Sequence, residues 1–476
     1  LKLLAALILP LTLFVPVQAE AAARCSPMPV SAPAGASVES VTAVQQQGYC
    51  DVTVTLAHPG ANDHARVKVL LPDNGWNGRF QAVGGSGYAA GDFGPGLIQA
   101  MNNGYAAAST DAGVTLSFTD TSAWALTPDG NVNLPLLRNF ASRSGHDLAI
   151  VGKEVTAKYY GRQVSYSYWN GCSTGGRQGY MEAQRYPDDF DGILANAPAI
   201  NWDRFAVATQ WPQVVQNQEH NFLTPCEFNA FATAAAQACD PQDWQCSFDP
   251  RRLIGKTIVC EGEQVTITAA DAEVVRKIWD CPKPLWYGLP RTAAFTGLAT
   301  QPFPISANWI ATFLKQNPAY DTTRITYSQF GDLFEKSQRQ YNGLIGTDSP
   351  DLTAFRKSGG KLLTWHGIAD TLITPAGTVD YRERVEKSTR GPIDSFYRLF
   401  LAPGVAHCGS GTGPVPTDAL GALVNWVEKG QAPDTLSAAV TTSTGTTITR
   451  NLCHYPQKSY YTGHGDPNLA TNHRCH

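Results

Sequence analysis

Gly171-Cys-Ser-Thr-Gly175 is a G-x-S-x-G pentapeptide, a serine between two glycines with one residue on either side. That spacing suits a sharp strand-to-helix turn that lifts a hydroxyl clear of a sheet. The backbone N–H of the next residue, Thr174, then points at the oxyanion of an acyl-transfer intermediate. A bare match is common by chance, so its context decides its weight. Val164 to Asn170 alternates in the strand manner with aromatic residues on both faces, and the run after Gly171 reads as a helix stopping before Pro187. This context favours a nucleophile over an ordinary Gly/Ser turn.

A nucleophilic serine needs a base, and an acid to orient the base. In a strand-turn-helix setting these follow the serine in the order Asp/Glu then His, each on a loop after a strand. Asp370 follows the run Lys361–Trp365, inside His366-Gly-Ile-Ala-Asp370, and His407 follows Phe396–Leu401. His366, four residues before the acid, is the decoy and reads as a residue that packs or bonds locally. Cys172 immediately precedes Ser173 and Cys408 immediately follows His407. A disulfide between them would bring their Cα atoms to about 5–6 Å and hold nucleophile and base together. Closing so long a loop would also restrict the unfolded chain, by roughly 5 kcal/mol in the entropy model. The alternative is that Cys172 is a buried thiol beside the turn.

The elements that must position these groups alternate. Val52–Leu56 and Ala65–Leu71 read as strands, and Arg79–Val83 leads into Gly84-Gly85-Ser86-Gly87. Leu136–Tyr160 has helical spacing. Strands alternating with helices imply a mainly parallel sheet. From about Ala199 to Phe355 the alternation fades, and Asp240-Pro241 and Cys281-Pro-Lys-Pro284 break up its helices. This stretch carries Cys226, Cys239, Cys246, Cys260 and Cys281, and reads as an inserted, disulfide-stapled cap.

Composition bounds the rest. The 476 residues are 43% hydrophobic and 16% charged, enough for a large buried core and wrong for a disordered chain. A net charge of −4 leaves no basic excess for nucleic acid. Eleven cysteines without C-x-x-C spacing argue against a zinc ribbon and for an oxidising compartment. Lys2 and the apolar run Leu3–Val17 precede two small-x-small sites, so 1–19 reads as an export signal with cleavage as late as 23. The run is shorter than the roughly 20 residues of a membrane span. The expected protein is secreted or periplasmic, without a membrane partner.

Gly171 to Gly179 with Glu182–Pro187 and Phe190–Ile193 resembles the tannase and feruloyl esterase family, which includes the mono(hydroxyethyl) terephthalate hydrolases. Ser349–Phe355, Gly359–Leu363, His366–Asp370, Phe396–Phe400, His407-Cys408 and the tail from Leu452 to Cys475 agree. The resemblance spans nearly all of the chain after the leader and is weakest in the cap. It implies an α/β-hydrolase fold, with 20–198 and 356–476 forming the catalytic domain and 199–355 the cap. It also implies Ser173, Asp370 and His407 as the triad, and a second oxyanion donor in the glycine loop: Gly87, with Gly85 as the alternative, beside Thr174. By the same resemblance Cys25–Cys50, Cys172–Cys408 and Cys453–Cys475 are paired. Cys239–Cys246 is then the first cap pair, and the second comes from Cys226, Cys260 and Cys281.

The sequence departs from the family where a calcium loop is expected. Cys239-Asp-Pro-Gln-Asp-Trp-Gln-Cys246 keeps Asp240 and Asp243 but lacks the oxygen ligands for six- to eightfold coordination, so no metal or other cofactor is expected. The implied substrate is a small aromatic ester, hydroxycinnamoyl or galloyl, with a terephthalate monoester as runner-up. Trp202, Trp211, Trp244, Trp279, Trp286 and Trp309 are candidates to flank the ring. Arg251, Arg252, Arg291 or Arg339 could pair with a terephthalate carboxylate. A catalytically idle binding protein on the same scaffold is the reading from another class.

Overall fold

The computed structural model describes residues 25–282 and 284–476; the export signal lies outside them. Ten strands form the main sheet: β1 Ser37–Gln46, β2 Tyr49–Ala57, β3 Ala65–Pro72, β4 Arg79–Ser86, β5 Ala89–Gly91, β6 Ala106–Thr110, β7 Tyr166–Cys172 and β8 Gly192–Asn196. After a small hairpin of β9 Thr257–Cys260 and β10 Glu263–Thr266, the main sheet is completed by β11 Lys361–Gly367 and β12 Tyr397–Ala402. Their order is β1-β2-β3-β6-β4-β7-β8-β11-β12, with β5 pairing β4 alone. From β6 to β12 neighbours run parallel, whereas β1, β2, β3 and β6 pair antiparallel. The sheet is therefore mixed, and the antiparallel edge joins through short connections while the parallel half needs crossover helices.

Period two drives the antiparallel edge. In β2, Cys50, Val52, Val54 and Leu56 are buried while the residues between them are half-buried. The parallel half is buried on both faces, so β6 (Ala-Ala-Ala-Ser-Thr) and β8 have no alternation to announce them. The helix Ser144–Tyr160 covers one face, packed with Phe80, Ala108 and Trp169. The helix Ala419–Lys429 covers the other, against Tyr168, Leu363 and Trp365. The predicted helix from Leu136 is interrupted by a π turn at Asn139–Arg143. β7 runs two residues beyond the predicted strand, through Gly171 and Cys172.

Residues between β8 and β11 are mostly helical. Thr224/Glu227, Thr268/Asp271 and Thr326/Gln329 form reciprocal capping boxes that start three of its helices. Its apolar core, including Phe228, Trp279, Phe295 and Trp309, is continuous with Tyr88, Trp124 and Phe140 from the sheet side. The disulfides are Cys25–Cys50, Cys172–Cys408, Cys226–Cys260, Cys239–Cys246 and Cys453–Cys475, with Cys281 outside them. Beyond β12, a sheet of β13 Val415–Pro416, β14 Thr435–Thr441 and β15 Thr447–Cys453 and a pair of β16 Ser459–Tyr461 with β17 His473–Cys475 close the chain.

Candidate active site

Parallel register places the carboxyl ends of β4, β7, β11 and β12 along one rim, where an open α/β sheet forms its ligand crevice. Ser173 stands between β7 and the helix Thr174–Arg185 at φ 62°, ψ −119°, a backbone conformation few side chains adopt. The turn holds because its backbone is tied on both sides. Ser173 N–H donates to the Asn196 carbonyl at 3.0 Å, and the Ser173 carbonyl accepts from Arg177 and Ala199. A Cβ on Gly171 would lie 2.5 Å from the Gly175 backbone, so only glycine lets the strand meet the helix so closely.

Asp370 and His407 meet on the same rim. His407 Nδ1 donates to Asp370 Oδ2 at 2.7 Å, and Asp370 Oδ1 accepts the Leu372 and Ile373 N–H groups at 2.9 and 3.0 Å. Burial of Asp370 opposes its charge. The adjacent His407 charge and the hydrogen bonds from His366 and His407 outweigh that and hold the carboxyl well below the usual range. Burial lowers the affinity of His407 for a proton, but the Asp370 carboxylate outweighs it, so its pKa is raised above the ordinary value. Ser173 and His407 line one cavity with Gly87 and Thr174. The Cys172–Cys408 bridge, with Cα atoms 6.0 Å apart, fastens their neighbours across a separation of 236 residues.

His366 does more than pack. It is completely buried, and its Nε2 faces both Asp370 Oδ2 at 3.1 Å and the Ile373 carbonyl at 2.9 Å. Two acceptors on one nitrogen require Nε2–H, leaving Nδ1 to accept the Thr378 hydroxyl at 2.9 Å. His366 thus shares Asp370 Oδ2 with His407. The i,i+4 spacing was visible in sequence; that both rings converge on one oxygen was not.

The glycine loop is fixed by two contacts. Gly85 N–H donates to Gln178 Oε1 at 2.9 Å, which commits it away from the cavity. The Thr174 hydroxyl donates to the Gly87 carbonyl at 2.6 Å, and Gly87 itself lines the cavity. Thr174 opens its helix, where the backbone N–H has no intrahelical acceptor. Tyr88 anchors the loop from behind, its hydroxyl donating to the Ile305 carbonyl at 3.0 Å.

The opposite wall is apolar: Phe118, Trp202, Phe205, Phe303, Ile305, Leu372 and Ile373. Of the six tryptophans expected to flank a ring, Trp202 alone lines this cavity. Trp279 and Trp309 are core residues stacked among Phe295, Phe313 and Tyr341. Trp211 and Trp286 face a separate pocket, and Trp244 reaches the chain's C-terminal region. The arginines lie elsewhere. Arg251 pairs with Asp249, Arg291 with Asp280, Arg252 sits over Phe248 and Arg339 is exposed. Phe118, Phe205 and Phe303 were missed; an aromatic in the polar run Leu116-Ser-Phe-Thr119 was the one signal for Phe118.

Asp240 and Asp243, in the Cys239–Cys246 loop, each accept a backbone N–H two residues on, from Gln242 and Gln245. Among the described residues no three His, Cys, Asp or Glu side chains are gathered for a metal.

A mixed sheet whose parallel half is joined by crossover helices, a strained serine between β7 and its helix, and a His–Asp pair after β11 and β12 define an α/β-hydrolase. A tannin acyl hydrolase from Aspergillus niger superposes at TM-score 0.83 and 24% identity, over 94% of this chain and 93% of that one. Feruloyl esterase B from Aspergillus oryzae gives 0.79 and 24%, over 93% and 97%. The family model for tannase and feruloyl esterase matches residues 50–302 and 296–476. A probable feruloyl esterase from Arthroderma benhamiae is 49% identical over 90% of this chain and 85% of its own length. The chain belongs to the tannase and feruloyl esterase family and is a carboxylic ester hydrolase.

Proposed function

We propose that the protein is a secreted esterase of aromatic acids, hydroxycinnamoyl or galloyl, working through Ser173, His407 and Asp370. The Asp370–His407 contact of 2.7 Å beside the strained Ser173 carries the reading. His407 Nε2 takes the Ser173 proton as Oγ attacks the ester carbonyl carbon. The N–H groups of Thr174 and Gly87 stabilise the oxyanion. The intermediate collapses, the alcohol leaves with the proton from His407, and water repeats the sequence on the acyl-enzyme. Asp370 holds Nδ1–H toward itself, so Nε2 faces the serine, and it stabilises the imidazolium as it forms. His366 fixes Asp370 from its other side.

Trp202, Phe205 and Phe303 give the acyl group an aromatic wall without a cation, which favours a ring bearing hydroxyls over one bearing a second carboxylate. The walls leave a space of about 20 Å³, so a ring enters by displacing a side chain. Phe118, 45% exposed, has the freedom to move. The five disulfides fit an oxidising compartment outside the cytoplasm. Hydrolysis of methyl ferulate, methyl gallate and mono(hydroxyethyl) terephthalate, with Ser173→Ala as blank, tests the reading. Ferulate or gallate turnover at least tenfold above the terephthalate ester, abolished in the variant, is expected. Equal feeble rates on all three would overturn the substrate class, and near-full activity of Ser173→Ala would overturn the mechanism.

A further inference from the structure

A second cavity, of about 360 Å³, lies between the loop that leads into His407, the Cys239–Cys246 loop and the C-terminal strands β15 to β17. That is room for one ring with a short substituent, at the small end of ligand sites. Pro403, Gly404 and Pro414 form part of its wall, and Ser173 and His407 line the other cavity. Trp244 and Tyr455 supply aromatic surface from two different segments. Its charged side chains have one sign, Arg450 and Lys458, and no aspartate or glutamate lines it.

Three of its polar side chains, Arg450, His473 and Ser459, lack a full set of partners among the described residues. Arg450 is half-buried and has no ion pair; its Nη1 donates to the Thr449 carbonyl at 2.7 Å. Burial pushes its guanidinium down, against weak support from the Asp466 charge. His473 Nε2 donates to the Pro467 carbonyl at 2.9 Å, which in the neutral ring leaves Nδ1 an acceptor, and that atom is buried without a donor. Ser459 Oγ is likewise buried without a partner. Both atoms are closed off from the cavity, and the side chain with donors to spare there is Arg450.

We infer that this cavity is a second binding site for an aromatic carboxylate. An aromatic ring fills the apolar body between Trp244 and Tyr455, and Arg450 takes the carboxylate. The inference deepens the proposed function, since such an acid is what hydrolysis of a hydroxycinnamoyl or galloyl ester releases. The product would then be held on the reverse side of the loop that carries His407.

Ferulate binding to the full chain by titration calorimetry tests this, with Arg450→Gln and the cavity-filling Ile448→Trp as variants. Neither residue lines the Ser173 cavity, so kcat on the ester substrate should stay within about twofold and reports folding. The expected result is at least a tenfold weakening, or loss, of one ferulate site in both variants, and equally weak binding there of coniferyl alcohol, which lacks the carboxylate. Unchanged ferulate binding in both variants would overturn the site. Binding of the alcohol as tight as that of the acid would overturn the anion recognition. Failure of methyl ferulate hydrolysis would instead break the substrate reading and leave this binding measurement standing.

Discussion

The two walls of the Ser173 cavity are built by different physics. On the sheet side every group is fixed by a directional contact: Ser173 by Asn196, Gly87 by Thr174, and Asp370 by two N–H groups and two imidazoles. On the helical side the side chains of Trp202, Phe205, Phe303 and Ile305 are placed by packing into a core that continues to Trp309 and Phe313. Directional contacts tolerate no substitution without losing the reacting geometry, whereas packing contacts accept changes of similar volume. The chemical step should therefore be brittle and the acyl preference adjustable.

The largest effect should fall on the directional wall. Asp370→Asn keeps the side-chain volume but reverses the hydrogen-bond requirement at His407 Nδ1, and should lower kcat by about 10⁴-fold with KM little changed. A loss below tenfold in steady-state kinetics would remove Asp370 from the mechanism. Gly87→Val should cost about 10²–10³-fold in kcat. The position has φ 57°, and a Cβ there would lie 2.3 Å from the Phe118 carbonyl, so the loop must shift.

His366→Gln tests whether the buried imidazole positions the acid or merely fills space. A kcat loss of about tenfold to a hundredfold is expected, with a shift of the pH–rate profile that a purely structural role would not produce. For the wild type, the proposed base role needs neutral His407, whose pKa is raised. The acid limb of kcat/KM should therefore sit above the ordinary histidine midpoint of about 6.5. Asp370 shifts the other way. Its depressed pKa contributes stability above about pH 4, lost as pH falls toward the folded-state value.

The packing wall should respond more mildly. Phe303→Ala should raise KM for an aromatic ester by about tenfold, leave kcat within a few-fold, and spare a small acetyl ester. Equal losses on aromatic and acetyl esters would show that the wall supports the fold and does not select the acyl group. The disulfides repeat the contrast. Replacing Cys172 and Cys408 by serine removes roughly 5 kcal/mol of unfolded-state restriction in the entropy model, and Cys239 with Cys246 about 2–3. Thermal melting should rank the first pair as the costlier, with activity lost in that variant alone.

The directional wall was legible in sequence because its residues are adjacent in the chain to what constrains them. Gly171 and Gly175 stand close to Ser173, Cys172 and Cys408 adjoin Ser173 and His407, and β11 and β12 lead into Asp370 and His407. The strands β6 and β8 were not legible, since burial on both faces erases the alternation. Nor was β1, the outermost strand of the antiparallel edge, which is largely exposed. The ring-flanking residues failed for a related reason. A buried tryptophan has the same sequence signature in a core as in a pocket, and five of the six lie outside the Ser173 cavity.

The sequence by itself determined the chain order of Ser173, Asp370 and His407 and the local features around them, because a turn, a strand end and a neighbouring cysteine are local features. Only the tertiary structure decided which glycine of the loop lines the cavity, that His366 shares an oxygen with His407, and which aromatics line the Ser173 cavity. It alone joined Trp244, Arg450 and His473 around a second cavity. Those are contacts between residues dozens to hundreds of positions apart, and their geometry is set by how the sheet, the helical insertion and the C-terminal strands pack, which no local pattern encodes.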